Sequence, residues 1–353
     1  MVHRVVEVVS TILRDCVEPE ARLQPIRSSR RLESPILACT RGWSARMISR
    51  FLTPRDPAFP DALRRVFEQR SDLRRAYGAA DDPGLVHWSA VNGPLEYADL
   101  LGRFYPPIPP EELRAIGCGG TTAQAHLLSS VEDLDVLLRA FDLFAGRPLD
   151  GVAAVLDFGC GCGRVLRWFP NGLPNAEWIG VDVKASSIEW CRANLSGRFE
   201  RTLPRPPLPL EDASVDLAYA LSVFSHLDRD AAHEWIRELR RVLRPDGRLV
   251  LSALGSFSLA VALRSPEHQD SFQLDASGAA QFLRRLPKER FVFHRPTDEW
   301  SRKLEGADGS YGLAFLTEEH VRRDWASLFE VAGWVPAWLF HLQDVYVLAP
   351  RRS

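Results

Sequence analysis

A glycine-rich turn carries the clearest chemical signal in this sequence. Residues Val155–Gly163 place an acid, Asp157, at the end of a short apolar run and follow it with three alternating glycines. Glycine suits a turn that visits positive φ, and it lets a ligand approach the backbone closely. A helix beginning after Gly163 would add free N–H groups and the positive end of its dipole. The segment is therefore predicted to be a nucleotide-binding turn between a strand and a helix.

The spacing of the glycines limits which nucleotide could bind. A dinucleotide turn of the form Gly-x-Gly-x-x-Gly would need its third glycine at position 164, where this sequence has Arg164. A dinucleotide uses the helix end for its pyrophosphate, whereas Asp157 at the strand end suits a ligand that carries an ammonium group. The sequence therefore favours a nucleotide with an ammonium-bearing tail.

A second acid stands at the end of the next predicted strand. The run Trp178–Asp182 is apolar up to its last residue, and Asp182 lies 19 positions after Gly163. Because the ends of parallel strands lie side by side, Asp182 should face the same crevice as the glycine turn. Its carboxylate could accept hydrogen bonds from both ribose hydroxyls, each contributing about 1.5–3 kcal/mol. The alternative is that Asp182 caps a helix or closes a turn.

The secondary structure that must position these residues is predicted from the sequence pattern after residue 152. Strand and helix signals alternate there, which predicts a parallel sheet with right-handed crossovers and helices on both faces. The predicted strands are 152–158, 176–183, 199–202, 215–222, 248–253, 334–340 and 344–348. The predicted helices are 61–77, a short one from Pro110, 131–144, 164–169, 186–195, 229–243 and 317–329, the last capped by Thr317 and closed by Gly333.

Four segments in order resemble motifs of the class I S-adenosylmethionine-dependent methyltransferases. They are 155–165, 178–195, 208–216 and 243–249, and the resemblance covers about residues 120–350. It implies a doubly wound α/β fold with a mostly parallel, Rossmann-like seven-stranded sheet whose last strand runs antiparallel. An N-terminal helical addition and an insertion after strand five complete the expected architecture. The cofactor that it implies, S-adenosylmethionine, has an ammonium-bearing amino-acid tail.

The same resemblance implies how the cofactor is held. Asp157, Gly159 and Gly161 would surround the methionine part. Asp182 would hold the ribose, and Val183 would pack on the adenine. The complete predicted cofactor-binding set is Asp157, Gly159, Cys160, Gly161, Gly163, Asp182, Val183, Leu203 and Ser222.

One departure from the family pattern affects the adenine contacts. Many members place an acid just after the third strand, but Thr202–Leu210 contains none. Adenine contacts are therefore expected from backbone atoms and from Leu203.

Two histidines are candidate general bases. A base is needed when the acceptor of the methyl group is a hydroxyl or another protonated group. His226 follows the fourth strand and is predicted to lie in the loop over the cofactor. His341 begins a predicted hairpin that should reach the same edge if the last strand is antiparallel. The alternatives are that His226 caps a helix or packs on the cofactor, and that His341 is an ordinary turn residue.

Composition and charge set the remaining expectations. The chain has 353 residues, 25% of them charged, with a formal net charge of −2, so nucleic acid is disfavoured as a partner although the first 75 residues are arginine-rich. No apolar run approaches the roughly 20 residues that cross a bilayer. The six cysteines lack zinc-ligand spacing, and a cytoplasmic location is expected. The oligomeric state stays open.

The expected domains are an irregular extension (1–60), a helical addition or lid (61–150) and a methyltransferase core (151–350). An acceptor-side insertion is expected at about 254–316. The predicted function is transfer of a methyl group to a small-molecule acceptor, preferentially at oxygen. A second hypothesis is a catalytically silent module that binds the cofactor or a partner. A third, an NAD-dependent oxidoreductase, is disfavoured by Arg164.

Overall fold

A computed structural model describes residues 41–70, 102–114, 122–296 and 310–351 of the chain. One sheet runs through the described part. Its strands are β1 Ala154–Phe158, β2 Glu177–Asp182, β3 Arg198–Arg201, β4 Val215–Ala220, β5 Leu243–Leu254, β6 Phe291–His294, β7 Leu313–Leu316, β8 Phe329–Leu339 and β9 Gln343–Pro350.

The strand order is that of a doubly wound sheet. Strands β3, β2, β1, β4 and β5 lie side by side in that order, all parallel. β9 pairs antiparallel with β5, from Leu249 opposite Leu348 to Leu254 opposite Gln343, and β8 pairs antiparallel with β9. These seven strands confirm the predicted mostly parallel, seven-stranded sheet with its antiparallel last strand.

A hairpin extends this sheet within the predicted insertion. β6 and β7 pair antiparallel, and β7 joins β5 through a single parallel pair, Leu254 with Phe315. The sequence predicted no strand in this region. Each strand has only four residues, and a pattern that short does not separate a strand from a buried turn of helix.

Helices cover both faces of the sheet. Among the described residues they are α1 Arg41–Leu52, α2 Phe59–Gln69, α3 Glu111–Arg114, α4 Ala123–Phe144, α5 Phe169–Gly172, α6 Ala185–Asn194, α7 Arg229–Val242, α8 Ser256–Ala262, α9 Pro266–Phe272, α10 Ala276–Glu289 and α11 Glu318–Asp324. Short 3₁₀ turns stand at Gly102–Phe104, Leu149–Gly151 and Leu166–Trp168.

The sheet is buried from both sides, as its central strand shows. Every residue of β1 is buried, and successive residues face opposite sides. Val155 belongs to a cluster that includes residues of α1, α2 and α4. Leu156 belongs to a cluster on the other face, with Trp235 of α7 and Trp325 after α11. A third, smaller cluster unites α8, α9 and α10 with the β6–β7 hairpin.

The N-terminal part differs from its prediction. Residues 41–52, expected to belong to an irregular extension, form α1 because Phe51 and Leu52 are fully buried in the main core. Phe51 packs edge-to-face on Phe169, with ring centroids 5.4 Å apart. A Cβ added at Gly172 would lie 2.3 Å from its ring, so glycine is needed for this contact.

Several helix boundaries also differ from the prediction. α4 begins at Ala123, where the Oγ1 of Thr122 accepts a hydrogen bond from the Ala125 N–H at 3.1 Å. Thr317 caps α11 as predicted, because its Oγ1 accepts from the His320 N–H at 3.2 Å. That helix ends at Asp324, however, and Gly333 lies inside β8.

Among the helices that the structure describes, none is long and apolar enough to cross a membrane.

The burial of α1 in the core predicts a large loss of stability in a Phe51→Ala variant. Removing a fully buried phenylalanine side chain should lower the free energy of unfolding by about 3–5 kcal/mol. Denaturant titration measures this loss. The control is Leu143→Ala on α4, whose side chain is 47% exposed and should change that free energy by less than about 0.5 kcal/mol. Equal effects of the two substitutions would contradict the packing described here.

Candidate active site

The glycine turn after β1 is held against the end of β2. The backbone N–H groups of Gly159 and Cys160 both donate to the Val181 carbonyl, at 2.8 and 3.0 Å. Gly159 has φ +79°, and a Cβ there would lie 2.4 Å from Cγ2 of Val223. Glycine is therefore required at 159 both by the backbone conformation and by the space available.

The prediction of a helix starting at Arg164 is wrong. A 3₁₀ turn, Leu166–Trp168, leads instead into the four-residue α5. Pro170 and Gly172 explain the short element, since glycine destabilises a helix and proline is accommodated only in its first turn. A helix this short offers little dipole to a ligand, and the turn amides of Gly159, Cys160, Gly161 and Gly163 already donate hydrogen bonds within the protein.

Asp182 lies at the end of β2 and faces the glycine turn. Its Oδ2 accepts a hydrogen bond from the Gly161 N–H at 2.8 Å, and its Oδ1 accepts from the Lys184 N–H at 2.8 Å. Both bonds are the local turn contacts that the alternative interpretation expected. A carboxylate has about four acceptor positions, so the two that remain fit the two hydroxyls of a ribose. The ribose role stays a prediction.

Leu203 and Val183 flank Asp182. The Thr202 N–H donates to the Asp182 carbonyl at 2.9 Å, which ties the end of β3 to that of β2. The next residue, Leu203, is 70% exposed, and Val183 is half-buried. An exposed leucine beside a strand-end acid provides an apolar surface that a purine ring could cover. These residues therefore suit the adenine contacts, which stay a prediction.

Ser222 and Cys160 are the two remaining members of the predicted cofactor set. Ser222, directly after β4, has φ +59°, and its Oγ accepts from Nε2 of Gln343 at 2.9 Å. Its N–H donates to Oγ of Ser252 at 2.8 Å, so its position is fixed by β5 and β9. The Cys160 side chain is buried in the core, which leaves its backbone as the part able to meet a ligand.

An ion pair that the sequence did not predict lies below the turn. Nη2 of Arg164 is 2.5 Å from Oδ2 of Asp133, which is fully buried on α4. Burial raises the pKa of Asp133 to about 6, against the opposing effect of Arg164. A sequence signal existed, because Asp133 lies among the apolar residues Val131, Leu134 and Leu137 of a predicted helix. Nothing in the sequence identified Arg164 as its partner.

Asp157 is the most strongly perturbed acid of the turn. It is only 5% exposed, and this burial raises its pKa to about 8. Tyr219, its register partner on β4, and Arg164 lower the pKa, while Asp182 and Asp133 raise it further. Without a cationic ligand, Asp157 is therefore largely protonated at neutral pH.

His226 lies in the loop after β4, as predicted, and its surroundings fix its chemistry. Its Nδ1 is 3.0 Å from the carbonyl oxygen of Gly312, so the neutral ring carries its proton on Nδ1. Burial lowers the pKa of His226, while the Gly312 carbonyl acts in the opposite direction. Tyr311 stacks on the imidazole with ring centroids 4.9 Å apart and planes 7° from parallel. The sequence did not predict Tyr311 as a site residue.

His341 occupies the tip of the β8–β9 hairpin. The hairpin lies at the carboxyl edge of the sheet, because Gln343 of β9 pairs with Leu254 at the end of β5. His341 itself is exposed, with φ +53°, and no hydrogen bond or ring contact joins it to the described residues. Asp344 accepts from the Ala337 N–H at 2.9 Å, a local turn contact. A catalytic role for His341 stays a prediction.

A second glycine-containing segment, 117–121, lies outside the described residues. Within the described ranges, no group of three or more histidine, cysteine, aspartate or glutamate side chains could hold a metal ion.

Comparison with known proteins agrees with this geometry. Residues 155–247 match the family model described as "Methyltransferase domain". A malonyl-(acyl-carrier protein) O-methyltransferase of Halalkalibacterium halodurans is 30% identical over 188 residues, covering 51% of this chain and 63% of that protein. A trans-aconitate 2-methyltransferase of an Azoarcus species is 34% identical over 173 residues, covering 46% and 58%. The chain thus spans less than two thirds of either relative.

Among solved structures, the chain is similar to an S-adenosylmethionine-dependent methyltransferase of Methanosarcina mazei. The identity is 17% and the TM-score 0.40, with 58% of this chain and 95% of that chain covered. A likeness of this degree adds nothing to the topology described above.

The doubly wound sheet, with a glycine turn facing a strand-end acid, defines a domain that binds a nucleotide cofactor at the carboxyl edge of its strands. The family match then gives the class: this chain contains a domain of the class I S-adenosylmethionine-dependent methyltransferases. S-adenosylmethionine is the cofactor of that class.

The close fit at Gly159 predicts that a Gly159→Ala variant is destabilised. A left-handed conformation costs an L-residue about 1–2 kcal/mol, and the contact with Val223 adds to this. Thermal and denaturant unfolding measure the loss. The control is Gly151→Ala, whose added Cβ would meet only Nη2 of Arg147, at 3.6 Å. If both variants unfold alike, the turn is not constrained in the way described.

The raised pKa of Asp157 predicts that cofactor binding releases a proton. The ammonium and sulfonium of the cofactor should favour the charged carboxylate, so the pKa of Asp157 falls on binding. Affinity should then rise as pH increases from 6 to 8, by up to about tenfold per pH unit, and level off above the pKa of the free protein, about 8. Calorimetry in buffers of different ionisation enthalpy counts the released protons.

The matched control for this prediction is Asp157→Asn, which keeps the shape of the side chain and cannot titrate. Its affinity for the cofactor should lack the rise between pH 6 and 8 that is due to Asp157. A binding enthalpy of the unsubstituted protein that does not depend on the buffer would contradict the prediction.

Proposed function

We propose that this chain transfers the methyl group of S-adenosylmethionine to a hydroxyl oxygen of a small-molecule acceptor. The observation that carries the proposal is the position of His226. A neutral imidazole, with its proton held on Nδ1 by the Gly312 carbonyl, follows β4 at the edge where the glycine turn meets Asp182. A base beside the cofactor is what an acceptor that must lose a proton requires.

The chain's own residues suit the cofactor. Asp157, Gly159 and Gly161 would surround the methionine part, Asp182 would hold the ribose, and Leu203 and Val183 would contact the adenine. When bound, the cofactor supplies a methyl group already activated by its sulfonium. Alignment of the acceptor can then supply about 7–11 kcal/mol of the barrier.

The choice of oxygen has independent support from the relatives. One of them is named as an O-methyltransferase. The acceptors in the two names, a malonyl group and trans-aconitate, are carboxylic acids, and a carboxylate needs no base. The lowered pKa of His226 leaves its ring neutral at pH 7. A neutral base suits a hydroxyl acceptor better than a carboxylate.

Calorimetry with S-adenosylmethionine, S-adenosylhomocysteine and NAD tests the class of ligand. Binding of the first two without NAD is expected. Tight binding of NAD, or binding of none of the three, would overturn the proposal. Cofactor binding without transfer to any acceptor would instead favour a silent binding module.

The role of His226 predicts a loss of turnover in a His226→Gln variant. Label transfer from methyl-labelled cofactor would be followed with paired acceptors, such as 2-naphthol and 2-naphthoic acid. His226→Gln should lower kcat on the hydroxyl acceptor by about 10²- to 10⁴-fold, the usual contribution of a general base. With the natural histidine, the rate should fall as pH drops through the lowered pKa of His226, because the protonated ring cannot accept a proton.

A parallel His341→Gln variant separates the two candidate bases. The exposed position of His341 predicts a smaller effect than that of His226→Gln. A larger effect at His341, or preferred methylation of the carboxylic acid, would contradict the assignment of the base.

A further inference from the structure

The end of the insertion is fastened to the loop that carries His226. The Gly312 N–H donates to the His226 carbonyl and the Ala314 N–H to the Ser225 carbonyl, both at 2.8 Å. The Asp228 N–H donates to the Ser310 carbonyl, also at 2.8 Å, and Leu227 forms an antiparallel bridge with Tyr311. Backbone hydrogen bonds on both sides of Tyr311 therefore fix the position of its Cα atom.

The ring of Tyr311 covers one face of the His226 imidazole. The near-parallel planes and the 4.9 Å centroid distance are those of a stacked pair. The Gly312 carbonyl holds Nδ1 of the same imidazole in place. Two successive residues of the insertion thus set the plane of the His226 ring and the nitrogen that carries its proton.

Tyr311 also lies within electrostatic reach of the cofactor edge. Burial raises its pKa above the usual range, and the Asp182 carboxylate raises it further. Its phenol therefore stays protonated at neutral pH. Tyr311 links the residue assigned to the ribose with the residue assigned to proton removal.

We propose that Tyr311 is the positioning residue of the acceptor site, holding the His226 imidazole by ring stacking so that its second nitrogen faces a hydroxyl-bearing acceptor. This inference rests on the proposed function. It assigns the insertion a defined task, since a residue 85 positions after His226 in the sequence sets the orientation of the base.

The charges around the pair support a hydroxyl acceptor over a carboxylate. Asp182 acts on Tyr311, and Asp228 follows His226 by two residues and caps α7. Arg229, the next residue, is turned towards the insertion, where its Nη2 donates to the Phe291 carbonyl at 3.1 Å. Among the described residues, Asp182 and Asp228 would therefore present like charge to an anionic acceptor here.

The first test reads the pKa of His226 directly and needs no acceptor. NMR titration of the histidines in the S-adenosylhomocysteine complex would be carried out on the unsubstituted protein and on Tyr311→Phe and Tyr311→Leu. His226→Gln identifies the signal by its loss, and His268 of the same insertion is the internal reference. Tyr311→Leu should raise the pKa of His226 towards its ordinary value because it uncovers the ring, whereas Tyr311→Phe should not.

The second test reads catalysis with the paired acceptors. Tyr311→Leu should lower kcat by roughly 10- to 100-fold, the effect of a displaced catalytic group, and move the acid limb of the pH–rate profile upward. Tyr311→Phe should restore both, and the KM for the cofactor should change little in either variant. A Tyr311→Phe defect as large as that of Tyr311→Leu would overturn the stacking role.

The two proposals can fail separately. An unchanged pKa of His226 in Tyr311→Leu overturns the positioning role, whatever His226→Gln does to turnover. An inactive His226→Gln variant beside an unchanged His226 pKa in Tyr311→Leu would leave the proposed function intact and remove only this inference.

Discussion

The site depends on the close approach between the glycine turn and the end of β2. Two N–H groups of the turn share the Val181 carbonyl, and a third, from Gly161, binds the Asp182 carboxylate. A side chain at Gly159 would have to overlap Val223. The parallel pairing of β1 with β2 brings Asp157 and Asp182 to the same edge of the sheet, and the turn closes directly over the end of β2.

Several buried carboxyl groups lie close together at this site, and the cations of the protein compensate their negative charge only in part. Asp133, Asp157 and Asp182 all have pKa values raised by burial, and one arginine, Arg164, opposes this effect at the first two. The excess of buried carboxylate disfavours the charged state until a cation arrives. A cofactor with an ammonium and a sulfonium is such a cation. The same burial therefore supports affinity for a positively charged nucleotide and makes that affinity depend on pH.

The sequence predicted the candidate cofactor residues and the loop position of His226, but not the side-chain pairs around them, for a physical reason. The glycine turn and Asp182 are signalled by short contiguous patterns, since strand ends in a parallel sheet must lie side by side. The ion pair between Asp133 and Arg164 joins residues 31 positions apart, and the stack of Tyr311 on His226 joins residues 85 positions apart. No local pattern encodes such pairings, because they arise from the packing of whole elements.

The mispredicted segments follow the same rule, and they show what the insertion contributes. α1 was missed because its order comes from burying Phe51 against α5, and the insertion hairpin because its strands are four residues long. The segment 310–314 is held to the His226 loop by backbone hydrogen bonds. Such bonds do not depend on the side chain at position 311. The fold therefore fixes where residue 311 stands, while the tyrosine side chain at that position supplies the ring that stacks on His226.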